Sequence, residues 1–343
     1  MKGQPNRLDA EPQKLFRGSA IERGIPLQFQ LDGRTINGFY GDTVLSAALA
    51  SGVDTVGQMD GQPLGLSARF APALAFGNAK ASQALPMSRI PAIDGAELHS
   101  FGSRRFGLPA FGKARRSLRQ ELDRRPITSP WYDQAPHSQV VTDVIVVGGG
   151  VAGMSAALTA ARNGARVSLL EATPMLGGAA RYFGSQEGDE APDETIARLA
   201  AEIAAMDAIT VLLRAEALAV RSGLVRAHHI RVDGAAVSGE VIDFTAPRIV
   251  LATGAIERLP VFPGNRLPRV MTSLEAYLLA ERYSVWLGRS AILATVHSAA
   301  YRLPMLLTDA GITTSRIADA RPDPQSRFIE FSRAYGIMQA GGT

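Results

Sequence analysis

Residues 143–171 constrain this chain more than any other stretch. Asp143-Val144-Ile145-Val146-Val147 is a β-branched run that reads as a central parallel strand covered on both faces. It leads into Gly148-Gly149-Gly150-Val151-Ala152-Gly153-Met154 and then an alanine-rich helix that Gly164 ends near Asn163. A second strand, Ala165–Leu170, finishes in Glu171. A strand, a glycine turn, a helix and a strand closed by an acid is the βαβ pattern that holds the ADP half of a dinucleotide. Gly148 permits the tight turn, Gly150 lets a pyrophosphate approach the backbone, and Gly153, helped by Ala157, lets the helix pack close to the strand. The free N–H groups and positive dipole end of the helix then face the phosphates, with Val151 and Ala152 in its first turn. Glu171 lies 18 positions after Gly153, close to the spacing at which a carboxylate accepts the ribose hydroxyls. It would repel a 2′-phosphate, so the unit spanning 143–178 is read as a site for FAD or NAD and not NADP.

Two later segments extend this site. Gly177 and Gly178 follow Glu171 and Ala172 in a loop that could return to the nucleotide. The apolar run Ile249–Ala252 reads as a buried parallel strand that enters Thr253-Gly254-Ala255, bringing Ala252, Thr253 and Gly254 toward the same place. Glu257 and Arg258 after it are read as pairing locally or bracing an interface.

Upstream, Pro26–Leu31 alternates apolar and polar as a half-buried strand. Asp32-Gly33 signals a hairpin turn and Thr35–Tyr40 the return strand. Gly41-Asp42-Thr43 offers an N-cap to a helix from Val44 to about Ala50, with Gly52 to end it. A hairpin followed by a crossing helix starts a β-grasp layout. Downstream of residue 255 come a strand–helix–strand from Ala291 to Ala318, closed by Asp319, and a tail without pattern. The turn in this second Rossmann-like unit, Val296-His297-Ser298-Ala299-Ala300, has no glycine, so a pyrophosphate could not approach its backbone.

Composition narrows the chemistry. The 343 residues include no cysteine, which removes disulfides, thiolate metal sites, iron–sulfur ligation and cysteine nucleophiles. His228 and His229 are adjacent in a strand-like run and face opposite sides; His99, His137 and His297 have no ligand spacing, so no metal site is expected. No Ser-His-Asp or paired-carboxylate constellation stands out, and the catalytic residues are unknown. The net charge of +4 is concentrated between Arg104 and Arg125, read as a solvated linker or a surface docked on an acidic partner chain, not a nucleic-acid site. No apolar run approaches the roughly 18–20 residues that span a bilayer. The start of the chain has no apolar signal region, so a cytoplasmic location is expected.

With these motifs the chain resembles two-dinucleotide-domain flavoproteins, and in particular the alpha subunits of heterotetrameric sarcosine oxidase and the large subunits of related proline and opine dehydrogenases. The resemblance rests on Pro26-Leu27, Asp32-Gly33 and Gly41-Asp42-Thr43, on Trp131-Tyr132-Asp133, and most specifically on Leu251–Arg258 followed by Phe262 and Gly264-Asn265. Residues 57–75 depart from the family's aromatic and basic stretch.

The residue patterns and the resemblance together imply an α/β chain with five parts: an extended N-terminal arm (1–16), polar and without period, a cluster-free ferredoxin-like β-grasp domain (17–101), a basic connector (102–140), an FAD- or NAD-binding Rossmann domain (141–285), and an incomplete second Rossmann-like domain (286–343) whose glycine-free turn leaves it without a nucleotide. Some members of the family hold a 2Fe–2S cluster in the β-grasp domain; with no cysteine, this chain is expected to be of the kind without an iron–sulfur cluster. Substrate oxidation would occur on a flavin-bearing beta-type partner subunit, with FMN at the interface and further small subunits. The activity expected is oxidation of a secondary amine or imino acid; the alternatives are a scaffold holding a structural nucleotide and a free-standing NADH-dependent flavin reductase. In this architecture the chain returns from the second domain to finish the first, so a stop at Thr343 is read as a fragment or as a chain completed by another polypeptide.

Overall fold

The computed structural model describes residues 3–9, 15–59, 61–100, 131–186 and 188–342. The Arg-rich part of the expected connector lies outside the described residues, as do residues 10–14 of the expected arm. The chain divides into two compact units, one of residues 1–28, 36–70 and 257–343 and the other of residues 29–35 and 71–256.

From the N-terminus, β1 (Glu22–Leu31) and β2 (Arg34–Tyr40) are joined through Asp32 and Gly33. Both turn residues have positive φ (49° and 76°), as the twist of a two-residue hairpin demands. The Asp32 carboxylate accepts from the Ser100 N–H at 2.9 Å and its Oγ at 2.5 Å. Then come α1 (Val44–Ala50), β3 (Thr55–Met59), β4 (Gln62–Gly65), β5 (Ala73–Phe76), β6 (Leu85–Pro86) and β7 (Glu97–Ser100). The strands pair in the order β2-β1-β7-β5-β6, with β7 parallel to β1 and β3–β4 a separate hairpin. A hairpin, a helix and a parallel return strand continue the layout that the N-terminal pattern begins.

Asp42, expected only as part of a helix cap, has a larger role. Thr43 is the N-cap of α1, accepting from the Ser46 N–H at 3.1 Å, while all seven residues of the helix are buried. Asp42 receives the Arg7 guanidinium through two bonds of 2.7 and 3.1 Å, and also accepts from the Phe39 N–H and Ser46 Oγ. Arg7 donates to the Tyr283 carbonyl as well, and both side chains of the pair are fully buried. The described residues of the expected extended arm are therefore part of a packed unit. A lone arginine in a polar run gives no sequence sign of its distant carboxylate. Gly41 makes the approach possible: at φ +93° a Cβ there would lie 1.9 Å from the Ala20 carbonyl oxygen.

The dinucleotide-type unit follows: β8 (Ser138–Val141), β9 (Val144–Val147), α2 (Val151–Arg162), β10 (Val167–Leu170), α3 (Ala180–Phe183), α4 (Pro192–Ala204), β11 (Ile209–Leu212), β12 (Ala215–Arg221), β13 (Leu224–Asp233), β14 (Ala236–Thr245) and β15 (Arg248–Leu251). A parallel sheet runs β11-β10-β9-β15. Alternate residues of β9 enter two different cores. Val144 and Val146 pack with Met154, Ala157 and Leu158 of α2 and Ile196, Leu199 and Ile203 of α4. Ile145 and Val147 pack with Val225, Ala227, Ile242 and Phe244 of the sheet ordered β12-β13-β14-β8. Cover on both faces explains why β9 is apolar throughout.

On that second sheet His228 is buried, stacked on Trp131 with ring centroids 4.2 Å apart. Gly239 leaves the room, since a Cβ there would sit 2.6 Å from His228 Nε2 and 2.7 Å from Trp131. His229, on the opposite face, pairs with Glu240 at 2.8 Å.

The chain ends with α5 (Ser273–Tyr283), β16 (Ser290–Thr295), α6 (Arg302–Asp309), β17 (Thr313–Asp319), α7 (Arg327–Ala334) and β18 (Gln339–Gly341). The last three strands form a parallel sheet ordered β16-β17-β18. The tail read as unpatterned is thus a helix and a strand. Ser326 caps α7 by accepting from the Ile329 N–H, and Ile329 and Ile337 join Tyr301, Met305 and Ile317 in one core. Two buried isoleucines in an eight-residue helix and its short exit are too few for a visible period. Among the described residues no helix is long and apolar enough to cross a membrane.

Two expectations follow. Arg7→Ala or Asp42→Asn leaves one buried charge without its partner and should cost about 3–5 kcal/mol in urea unfolding. Replacing both by Met and Leu should cost distinctly less than either single change.

Burial, then the Arg89, His229 and His137 charges, pushes His228 from its ordinary 6.5 down to about 3. The unfolded chain therefore binds a proton that the folded chain refuses between those values. The contribution is fully present above pH 6.5 and is lost toward pH 3, at up to about 1.4 kcal/mol per unit. His228→Gln should flatten this window of a pH–stability curve relative to the parent.

Candidate dinucleotide site

The site is built where β9, β10 and β15 end. Gly148 leaves β9 at φ +106°, and a Cβ there would meet the Ala252 carbonyl oxygen at 2.3 Å. Its N–H donates to the Leu170 carbonyl at 2.8 Å, and Ala252 N–H donates to Val147 at 2.8 Å, so three strand ends are stitched at one level. Gly153 is the tightest position: a Cβ would lie 1.8 Å from the Gly148 carbonyl oxygen. Gly150 is the N-cap of α2, with no side chain capping the helix. A Cβ on Gly150 would meet only Gly178 Cα, at 3.9 Å. The amides of Val151, Ala152 and Gly153 occupy the first turn, where a helix supplies no internal acceptors. An anion is the natural partner for this end.

Glu171 sits across the turn, 8% exposed. One carboxylate oxygen accepts from the Gly149 N–H and the other from the Thr173 N–H, both at 2.7 Å. Its expected partners were ribose hydroxyls. The structure adds that the acid also organises the turn itself. A carboxylate oxygen has two lone pairs, so acceptor capacity for a ribose remains. No motif gives Gly149 a role, yet a Cβ there would meet Leu176 at 2.5 Å and Glu171 Cβ at 2.9 Å. Only its place between two recognised glycines hinted at this.

The second glycine pair closes against the first. Gly177 N–H donates to the Gly149 carbonyl at 2.8 Å, and Gly150 and Gly177 form a parallel bridge. A Cβ on Gly178 would sit 3.1 Å from Gly150 Cα. Ala172 is half-buried beside Glu171. Ala252 and Thr253 back onto Gly148, whereas Gly254 is exposed, at φ +67°, with nothing within 4 Å of a Cβ. The structure therefore brings Gly148, Gly150, Gly153, Glu171, Gly177, Gly178, Ala252 and Thr253 together, and leaves Gly254 at the open rim.

Glu257 does something else than pair with Arg258. It accepts from Ser273 Oγ and, at 2.6 Å, from the Leu274 N–H, capping the start of α5. Glu275 in the same helix accepts from the Ala68 N–H at 2.5 Å, and burial raises its pKa.

The second strand–helix–strand carries its own acid. Asp319 at the end of β17 is fully buried, and its oxygens accept from Arg321 and, at 2.9 Å, from the Tyr301 hydroxyl. The Arg321 bonds hold its pKa at about 2 against burial, while burial and then Asp319 raise Tyr301 to about 12. Among the described residues no three His, Asp or Glu side chains gather as a metal site.

These geometries separate two glycines. Gly150 has φ −72°, so Gly150→Ala is sterically allowed and should keep stability within about 0.5 kcal/mol. The methyl group enters the phosphate approach and should weaken ADP binding by roughly tenfold or more, about 1.4 kcal/mol. Gly153→Ala should instead destabilise the fold by more than about 2 kcal/mol. Calorimetric titration and thermal unfolding distinguish the two.

Residues 142–288 match the family described as pyridine nucleotide-disulphide oxidoreductase. Residues 24–65 match the 2Fe-2S iron-sulfur cluster binding domain, which corrects the expectation of a chain without any such cluster. That expectation came from counting thiolates, whereas the match follows the pattern of the domain. The residues present do not fit the group: clusters are held by Cys, with His in some cases, and residues 24–65 contain neither. No electron-transfer step is derived through it.

Among curated proteins, the chain is 34% identical to sarcosine oxidase subunit alpha of Corynebacterium sp. strain P-1 over 332 residues, covering 92% of this chain and 32% of that one. It is 30% identical to sarcosine oxidase subunit alpha of Rhizobium meliloti strain 1021, covering 90% of this chain and 36% of that one. The chain thus spans about a third of the length of these relatives. The solved L-proline dehydrogenase from P. horikoshii superposes with a TM-score of 0.60 at 23% identity, over 85% of this chain and 53% of that one, a likeness of fold. Over most of its own length, this chain is similar to the sarcosine oxidase alpha subunits.

Proposed function

We propose that this chain is the nucleotide-binding part of an alpha-type subunit in a multi-subunit flavin-dependent oxidoreductase acting on a secondary amine or imino acid. The observation that carries the proposal is the meeting of the glycine turn, Glu171, the Gly177-Gly178 loop and Ala252-Thr253 around an uncapped helix start. The cradle fits FAD or NAD. Gly150 and Gly178 leave backbone open where a pyrophosphate would lie, with the amides of Val151, Ala152 and Gly153 to receive it. Glu171, steadied by Gly149 and Thr173, would orient the adenosine ribose and reject a 2′-phosphate. Ala172, Ala252, Thr253 and Gly254 would line the remainder. When bound, such a cofactor supplies hydride or electron transfer. The residues here bind and orient.

Residues 17–101 form a β-grasp domain and 141–285 the dinucleotide domain. Residues 286–343 form a second Rossmann-like unit that holds no nucleotide, because Asp319 is already saturated by Arg321 and Tyr301. Substrate oxidation is assigned to a flavin-bearing beta-type partner in the cytoplasm; the subunit naming of the relatives supports the presence of partner subunits.

Nucleotide released by denaturing the purified assembly should be an ADP-containing dinucleotide without a 2′-phosphate, identified by mass spectrometry. Finding none, or NADP, removes the proposal. Glu171→Ala should abolish most turnover while partner subunits still co-purify; loss of assembly instead would mark the nucleotide as structural.

A further inference from the structure

Arg214, between β11 and β12, is a non-glycine residue in the left-handed region, at φ +56°. Side chains disfavour that conformation, and it persists where surrounding contacts over-determine it, often beside ligand sites. The bend here has two hydrogen-bonded sides. On one, the Arg214 N–H donates to the Thr173 carbonyl at 3.0 Å and the Ala215 N–H donates to the Glu171 carbonyl at 2.8 Å. The bend therefore grips the Glu171-Ala172-Thr173 segment from both ends. On the other, the Arg214 carbonyl accepts from the Ile230 N–H at 3.0 Å and from Arg89 at 2.6 Å.

Arg89 lies far away in sequence, after β6, and is largely buried. Its guanidinium also donates to the His228 carbonyl at 2.8 Å and the Glu216 carboxylate at 2.7 Å, and faces His228 Nδ1 at 3.1 Å. Arginine has only donors, so His228 must present an unprotonated Nδ1 to it. The Arg214 carbonyl and the Ala215 N–H belong to one peptide group. Arg89 thus holds one end of the plane whose other end holds Glu171. From there the Glu171 carboxylate reaches the Thr173 and Gly149 amides.

We propose that Arg89 is a positioning residue for adenine-nucleotide binding, acting through the Arg214 bend to aim the Glu171 carboxylate at the glycine turn and the ribose. This rests on the dinucleotide reading of the site. Arg89 itself touches no part of the cradle, which distinguishes it from the residues that line the pocket. Its partners Glu216, His228 and Arg214 are all on the antiparallel sheet or the loop leading into it, behind the acid.

The test uses the full chain stripped of any co-purified nucleotide, with ADP as the probe in calorimetric titration. Arg89→Met should weaken ADP at least tenfold. In that background Arg214→Gly, which adopts the left-handed bend without support, should restore affinity to within about threefold of the parent. Independently of any ligand, Arg89→Lys should speed hydrogen exchange at the Gly149 and Thr173 amides while exchange in α4 stays unchanged. This second readout serves if Arg89→Met does not fold. Parental affinity in Arg89→Met, failure of Arg214→Gly to rescue it, or unchanged exchange in Arg89→Lys would each overturn the proposal. If the parent chain does not bind ADP, the dinucleotide reading fails, and with it this role of Arg89; the exchange experiment then still reports whether the clamp on Glu171 exists.

Discussion

The structure of the larger unit depends on how closely α2 approaches the end of β9. A Cβ at Gly153 would reach to within 1.8 Å of the Gly148 carbonyl oxygen, so only hydrogen fits between helix and turn. That contact sets the height of the helix start, and so the place where its uncapped amides emerge. Everything else at the site is arranged around it. Ala252 is drawn against Gly148 by its bond to Val147, and Gly177 is drawn against Gly149. Glu171 crosses beneath, tying the end of β10 to the same turn. A cradle made mostly of backbone is rigid where a set of side chains would rearrange, and rigidity lowers the ordering cost of binding a flexible dinucleotide.

The parts legible in the sequence were those in which local pattern and tertiary role agree. The β-branched run of β9, the glycine spacing and the terminal acid all report short-range constraints, and the structure places them together. The Asp32-Gly33 turn and the Thr43 cap are legible for the same reason, each being a matter of two or three adjacent residues. What was not legible depends on partners distant in the chain. Arg7 finds Asp42, Glu257 finds the start of α5, and Arg89 finds Arg214 only once the strands are assembled. Gly149 escaped because its constraint comes from Leu176 and Glu171, not from the turn it belongs to. The final helix and strand escaped because two isoleucines make a core without making a period. The iron–sulfur expectation failed differently: ligand chemistry reads what a domain can hold now, and a family match reads the pattern of the domain.

The two acids that end second strands show how one topology can serve opposite purposes. Glu171 accepts from backbone amides, one on each carboxylate oxygen, which leaves each oxygen a further lone pair. Asp319 is satisfied by a guanidinium and a phenol, which bring their own bulk and charge compensation. Its neighbouring turn contains His297, Ser298 and Ala299 in place of glycines. The same strand–helix–strand therefore ends in an acid held by backbone amides in one case and by a guanidinium and a phenol in the other. That contrast, more than fold resemblance, is why we propose nucleotide binding at the first strand–helix–strand and none at the second.

The most direct test of this account is a diffraction structure of the chain with ADP. The account predicts the diphosphate on the amides of Val151 and Ala152, passing over Gly150, with a ribose hydroxyl donating to Glu171. It also predicts that Gly148, Gly153 and Ala252 keep their places. ADP lodged beside Asp319, or a diphosphate held away from the start of α2, would contradict it.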